Sequence, residues 1–294
     1  MERISLTAKY RKYRFKRKNR SLAMDIVLFL FIGIFACFSI WPLVLIANNA
    51  FKPMNEIFLF PPKLFVMNPT LDNFVDLKII VSNSWVPLSR YIFNTLFITV
   101  VGTTCSVLIS SLAAYPLAKF KFPGSSAIFQ IVLYALMFNS TILATPTYII
   151  ISYLNLLDSY LAVLLPVFGG TLGVFLLKNF MEQIPDALIE AATIDGANDF
   201  KTYWSIIMPV CKPAWITLVI LSFQSFWGET GGSYIYTESK KPLTFAIAQI
   251  VNTGVSRTGV ASAVSLVMLV VPIAFFVFSQ SNVMQTMASS GIKE

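Results

Sequence analysis

The 294-residue chain contains no histidine, only three cysteines and a charged fraction of 12%. Each shortage removes a class of function. Without histidine there is no Ser-His-Asp or Cys-His nucleophile, no His-bearing zinc site and no His proton relay. Cys37, Cys105 and Cys211 are odd in number and far apart, so they read as small apolar fillers without a disulfide framework. A soluble domain carries about 25% charged residues. Half that charge cannot coat a globule of this size, which argues against a soluble enzyme. The sequence also lacks a GxxxxGK[ST] loop, so the chain does not itself cradle the phosphates of ATP.

What is present is hydrophobicity, 56% of the residues, gathered in blocks. A bilayer core about 30 Å thick needs about 20 apolar helical residues. Six stretches qualify, at about 24–49, 89–117, 125–152, 159–180, 212–228 and 259–283. The expected fold is an all-α membrane protein with six transmembrane helices. Charged residues fall at or beyond the ends of these spans, with Asp25, Arg90 and Lys178 at the margins. An interior without Asp, Glu or His offers nothing for proton coupling, and no inverted repeat is evident, which counts against an ion-coupled secondary transporter.

Nine basic residues crowd the first twenty positions, from Arg3 to Arg20. Beside an apolar run, a basic tail over 1–23 reads as a cytoplasmic topology signal and not as a nucleic-acid arm. The following run is too long for a signal peptide and lacks a small-residue cleavage site. With the N-terminus inside, 15 Lys and Arg fall on the cytoplasmic side against 7 outside. Both termini are then cytoplasmic in a multi-pass protein of the cytoplasmic membrane. The remainder, 24–294, reads as one six-helix domain. It carries an external loop at 50–88, a cytoplasmic segment at 181–211 and a second external segment at 229–258 that opens GETGGSY.

The cytoplasmic segment reads MEQIPDALIEAATIDGANDFKTYWSIIMPVCKPA. Pro185 suits the first position of a helix, and Asp186 complements the positive end of its dipole. Gly196 fits the left-handed residue that closes it. A second helix is expected from about Asp199 to Pro209. Ala187 and Ala191, with Ala192 beside them, give the first helix a small face that a partner surface can approach closely.

The run EAATIDGA, followed by IIMP with Glu190 and Pro209 nineteen residues apart, resembles the EAA loop of ATP-binding-cassette (ABC) importer permeases. The stretches NPTLDNF (68–74), YIFNTLFIT (91–99), AYPLAKFKFPG (114–124), LNLLDSYLAVLLP (154–166) and LKNFMEQIP (177–185) resemble the carbohydrate-uptake subfamily, in particular its second, maltose-type permease subunit. Met208 stands where that pattern usually has Leu. The resemblance implies a type I ABC importer permease fold and a coupling helix that enters a cleft on a separate ATPase. It implies an ATPase-coupling set of Ala187, Glu190, Ala191, Ala192, Asp195, Gly196 and Ala197, with Glu190 as the polar contact. Asp195 is expected to fix the turn through local hydrogen bonds to the backbone. The implied partners are a second homologous permease, an ABC ATPase dimer holding ATP and Mg²⁺, an extracytoplasmic sugar-binding protein and the lipid bilayer. This chain itself is expected to bind no cofactor and no metal and to catalyse no reaction.

Sugars are held by hydrogen bonds and aromatic faces. Asn139, Ser140 and Thr141 in the third span, and Gln224, Phe226 and Trp227 in the fifth, supply that mixture and form the candidate substrate path. Helix–helix hydrogen bonding and belt aromatics are the competing reading of the same residues. Gly102, Ser106, Ser110 and Ala114 form a small-residue stripe, echoed by Gly169 and Gly173, which points to close helix packing within the subunit. A permease for a non-sugar solute is the alternative function.

Overall fold

The computed structural model describes residues 22–61, 63–82, 86–138, 140–252 and 257–290. The basic tail, apart from its last two residues, and Asn139 lie outside them. Helices account for nearly all of the described regular structure: α1 (Leu22–Phe51), α2 (Met54–Ile57), α3 (Asp72–Ser82), α4 (Leu88–Lys119), α5 (Ser125–Met137), α6 (Ser140–Tyr153), α7 (Tyr160–Phe168) and α8 (Thr171–Glu182). There follow α9 (Ala187–Ile194), α10 (Asp199–Thr202), a π-turn at Tyr203–Ile207, α11 (Met208–Val210), α12 (Lys212–Trp227), α13 (Leu243–Asn252) and α14 (Thr258–Ser290).

Four helical stretches are individually long and apolar enough to cross a bilayer: 24–51, 88–119, 160–182 and 258–279. The expected third and fifth spans differ from plain rods. The third is two helices, α5 and α6, bent from one another by 113°, and the fifth, α12, is preceded at 79° by the 199–210 helix. Counting each bent pair as one crossing gives six. Gly169 and Gly170 break the fourth span between α7 and α8 without diverting it.

The bundle is organised around α4, which packs against α7, α8 and α12, while α1 leans on α14 and α3. The stripe on α4 explains how the helices come so close. A Cβ on Gly102 would sit 2.5 Å from the Phe226 ring, and one on Gly173 would sit 2.4 Å from Ser110 Oγ. Ser106 and Ser222 hydroxyls face each other at 3.5 Å. The small residues thus serve contacts within the chain, as small-residue seams between membrane helices do. Gly169 meets nothing within 4 Å, so only Gly173 of that pair is used for packing.

Most of α1 and the outer faces of α5 and α6 expose large apolar side chains, including Phe29, Phe38 and Met137. In a bilayer such surface costs nothing, because lipid tails are as apolar as the side chains. Among the described residues the buried charged ones are Lys52 and Glu56, both beyond the end of α1 in the expected external loop. Glu56 accepts bonds from the Met67 and Asn68 amides and from Asn68 Nδ2, at 3.0–3.1 Å. These bonds, the Met67 amide foremost, hold its carboxyl below the usual range against the opposing effect of desolvation. Asn73 donates to the Ala50 and Lys52 carbonyls and fills the space over Gly259. The NPTLDNF stretch is therefore a set of polar clasps that folds the loop after α1 back on the bundle.

Candidate functional site

The segment between α8 and α12 projects from one end of the bundle. Its foundation is a cluster of Tyr115, Leu177, Met181, Ile184, Tyr203, Ile207 and Cys211, each less than a tenth exposed. Tyr203 shares a 2.7 Å hydrogen bond with Ser111 of α4 and lies 5.4 Å, ring centre to ring centre, from Tyr115. The π-turn beneath has a local cause. Proline at 209 has no N–H to return to the preceding turn, and the Met208 amide reaches back five residues to the Tyr203 carbonyl.

On this base stands α9. Pro185 lies two residues before the first helical residue, Ala187, instead of at that position, and Asp186 takes the N-cap place. Its carboxylate does not cap the helix by side chain. It receives Lys119 Nζ at 2.7 Å, and the same ammonium donates to the Ile184 carbonyl. That hydrogen bond, with the lysine charge, lowers the Asp186 carboxyl below its ordinary range. Lys119 is the last residue of α4, so the C-terminal end of the central helix grips the start of α9. The far end closes as expected at Gly196, whose φ is +78°. The bonds there are Asp195 N–H to Ala191 O, Gly196 N–H to Thr193 O and Ala197 N–H to Ala192 O. Asn198, not Asp195, supplies the side-chain cap, accepting from the Lys201 amide at 2.8 Å. Asp195 contributes only its backbone.

The expected coupling set divides by burial. Ala187, Glu190, Ala191, Asp195 and Gly196 are exposed, whereas Ala192 is buried against the chain itself and Ala197 is half-buried. Leu188 and Ile194, unremarked in the sequence, belong to the outward surface: Ile194 is 86% exposed, and Phe200 beyond the turn is 69% exposed. The exposed surface of α9 is thus apolar at Leu188 and Ile194, carries the acids Glu190 and Asp195, and stands on a buried base.

The expected substrate path is not brought together. Phe226 lies in the core with Ile98, Val163, Leu164 and Ile235. Trp227 is buried too, donating its indole N–H to the Met268 carbonyl at 3.1 Å and stacking on Phe223. Gln224 is exposed on α12 and Thr141 on α6, whose first residue is Ser140. Asn139 lies outside the described residues. Burial decided the two aromatics, and periodicity alone could not foretell which face of α12 turns inward.

The opposite end of the bundle holds a cluster the sequence reading did not single out. Asp158, in a short turn before α7 with φ of +58°, accepts from the Tyr236 and Thr237 amides at 3.0 and 2.9 Å and from the Thr237 hydroxyl at 2.6 Å. Lys240 Nζ lies 3.0 Å from the same carboxylate. Burial alone would raise this carboxyl, but the bonds from Thr237, Lys240 and Tyr236 outweigh it and hold it well below the usual carboxylate range. On the other side, Asn94 of α4 donates to the Ser239 and Lys241 carbonyls and accepts from Tyr160. Thr95 accepts from the Leu243 amide and Tyr91 donates to Glu238. The YIFNT stretch thus bolts the 234–243 segment onto the bundle. A polar Asn-Thr pair inside an apolar span was the signal that could have found it.

A multi-pass helical membrane component with an exposed short helix held at one end of its bundle is what the fold and this segment define. Residues 21–286 match the family described as "Binding-protein-dependent transport system inner membrane component", and the chain belongs to that family. It is 30% identical over 236 residues to the polygalacturonan/rhamnogalacturonan transport system permease protein YtcP of Bacillus subtilis, covering 80% of this chain and 79% of that one. It is 32% identical over 149 residues to the sn-glycerol-3-phosphate transport system permease protein UgpE of Yersinia enterocolitica, 51% of this chain and 53% of that one. In fold it is similar to a chain of a bacterial ABC transporter involved in the import of the acidic polysaccharide alginate, with a TM-score of 0.78 over 90% of this chain and 99% of that chain at 23% identity. The chain is a membrane permease component and not an ATPase.

Proposed function

We propose that this chain is one permease half of an ABC importer that carries a saccharide across the cytoplasmic membrane by alternating access, driven through α9. The carrying observation is the exposed tip of α9 together with its anchorage. Leu188, Glu190 and Ile194 face outward, while Lys119, Ile184 and Tyr203 join the same segment to α4 and the core. A peg of this kind transmits displacement because interfaces and packed cores have discrete arrangements and do not deform continuously. Closure of an ATPase dimer around ATP and Mg²⁺, both held by that partner, would move α9. Lys119 and the Tyr203–Ser111 bond would then carry the motion into α4, the helix that α7, α8 and α12 all touch.

A saccharide is favoured by the polygalacturonan/rhamnogalacturonan relative, which matches over four-fifths of this chain. The glycerol-phosphate relative supports a polyol phosphate as the second reading, over about half of it. The basic tail favours cytoplasmic termini, which places α9 beside the ATPase and the 229–243 segment toward an extracytoplasmic binding protein. A second, homologous permease completes the pathway against the exposed faces of α5 and α6.

Glu190→Lys puts the wrong sign on the exposed tip, where an unmatched charge in an interface costs on the order of 2–5 kcal/mol. Gly196→Pro forbids the positive φ that turns the chain away from α9. Both variants are expected to insert and to pair with the second permease. Co-purification of the ATPase, or its stimulation by binding protein and saccharide, should fall at least tenfold. Normal values in both variants would remove the coupling role of α9.

A further inference from the structure

Outside the peg, the most distinctive concavity is a cleft of about 660 Å³ between α6 and the segment that follows α12, at the end of the bundle opposite α9. Its walls are Ala144, Thr145 and Tyr148 on one side and Gly232, Ser233, Tyr234 and Tyr236 on the other. We propose that this cleft is a saccharide-contact site of the permease itself, taking a neutral, hydroxyl-rich sugar face at the outer mouth. The proposal rests on the importer reading above and names where this subunit touches its cargo.

Three observations carry it. The first is chemistry: three phenol rings and two aliphatic hydroxyls line the cleft, and no charged side chain does. Aromatic faces meet the C–H surface of a sugar, and hydroxyls exchange hydrogen bonds with its rim. A phosphate or uronate group would find no cation here. The second is geometry. Tyr148 and Tyr234 are near-parallel, 25° apart with centroids at 6.4 Å, and Tyr148 and Tyr236 hydroxyls share a 2.7 Å bond. Two van der Waals layers of about 3.5 Å do not fit within that gap, so a sugar lies against the open faces of the pair and not between them. The volume falls in the range of about 300–1,000 Å³ usual for small-molecule sites.

The third is preorganisation. Tyr236 is 56% exposed, so burial does not explain its place. Its position is set through the backbone, because Asp158 holds the amides of residues 236 and 237, and the Asp158 amide donates to the Tyr234 carbonyl at 2.7 Å. Gly231 and Gly232, at φ of +78° and +43°, turn the chain so that Ser233 and Tyr234 reach the cleft. Asp158 is thus a positioning residue for an aromatic platform whose rings remain free to be covered.

The test uses the assembled importer in nanodiscs and saturation-transfer NMR with three probes: maltotriose, trigalacturonic acid and sn-glycerol 3-phosphate. Maltotriose ring protons should receive saturation from the wild type, with Tyr148→Ala and Tyr236→Ala each reducing it by about fivefold, the scale of a lost aromatic contact. Tyr148→Phe, which keeps the ring, should retain most of the signal and so controls for folding. ATP-driven uptake is measured on the same preparations. Unchanged maltotriose saturation in both alanine variants, or saturation of trigalacturonic acid alone, overturns the site while leaving saccharide import standing. Uptake of glycerol 3-phosphate with no saccharide taken up overturns the saccharide reading itself, in favour of the polyol-phosphate one.

Discussion

Lys119 Nζ and the Asp186 carboxylate lie 2.7 Å apart, with the lysine side chain 4% exposed and the aspartate 76% exposed. The contact joins the C-terminal end of α4 to the N-cap of α9, two positions sixty-seven residues apart in sequence. The largely covered lysine side chain reaches out to a solvent-facing carboxylate and donates to the Ile184 carbonyl as well. It ties the orientation of α9 to the helix at the centre of the bundle.

Lys119→Met should therefore separate docking from signalling. The tip of α9 is untouched, so the ATPase should still co-purify. Stimulation of hydrolysis by binding protein and saccharide should drop about threefold to tenfold, the usual scale for mutations along a coupling route. Asp186→Asn, which retains an acceptor for the ammonium, should lose less. Hydrolysis assays on the reconstituted complex decide the matter, and equal stimulation in wild type and Lys119→Met would refute the link.

The Asp158 clasp predicts a pH profile. Its carboxyl is held below its ordinary value of 3.8, so its contribution is fully present above that pH and is lost as pH falls through the lower folded-state value. Limited proteolysis of the 229–242 segment should accordingly be constant from neutral pH down to about pH 4 and accelerate below it. Asp158→Ala should open the segment at every pH, by about 1 kcal/mol once solvent screening of this partly exposed group is allowed for. Acid sensitivity should disappear in that variant. A wild-type segment that loosens already between pH 7 and 5 would contradict the clasp.

The seam between α4 and α12 predicts overpacking. Gly102→Ala drives a methyl into the Phe226 ring, where a Cβ would stand 2.5 Å away, and should destabilise the purified chain by about 1–3 kcal/mol. Phe226→Leu should return part of that loss in the double variant, because the two side chains compete for one space. Thermal unfolding in detergent measures both, and strict additivity would mean that the contact is not made.

The α9 turn was legible in the sequence because its determinants are local. Gly196 is the residue that tolerates a left-handed φ, and the alanines around Glu190 are helix formers. The clasp at Asp158 was not, since its partners lie some eighty residues on and nothing local distinguishes it from any acid in a turn. In sequence, Phe226 and Trp227 read either as sugar-path aromatics or as belt aromatics. In a span apolar on every side, no moment says which face is inside, and Gly102 and Met268 supplied the answer only when the helices met.

The sequence by itself determined that this is a helical membrane protein with a short, sharply closed helix between its fourth and fifth apolar blocks. Length, hydropathy and turn chemistry are properties of consecutive residues, and a bilayer reads them directly. Tertiary structure alone decided which side of α9 faces outward, that Ala192 faces inward, and that Tyr148 meets Tyr234 and Tyr236 across a cleft. Those facts depend on how α4 seats α8 and α12 through glycines and serines. Such close approach is a property of facing pairs of helices, and no single stretch of chain carries it.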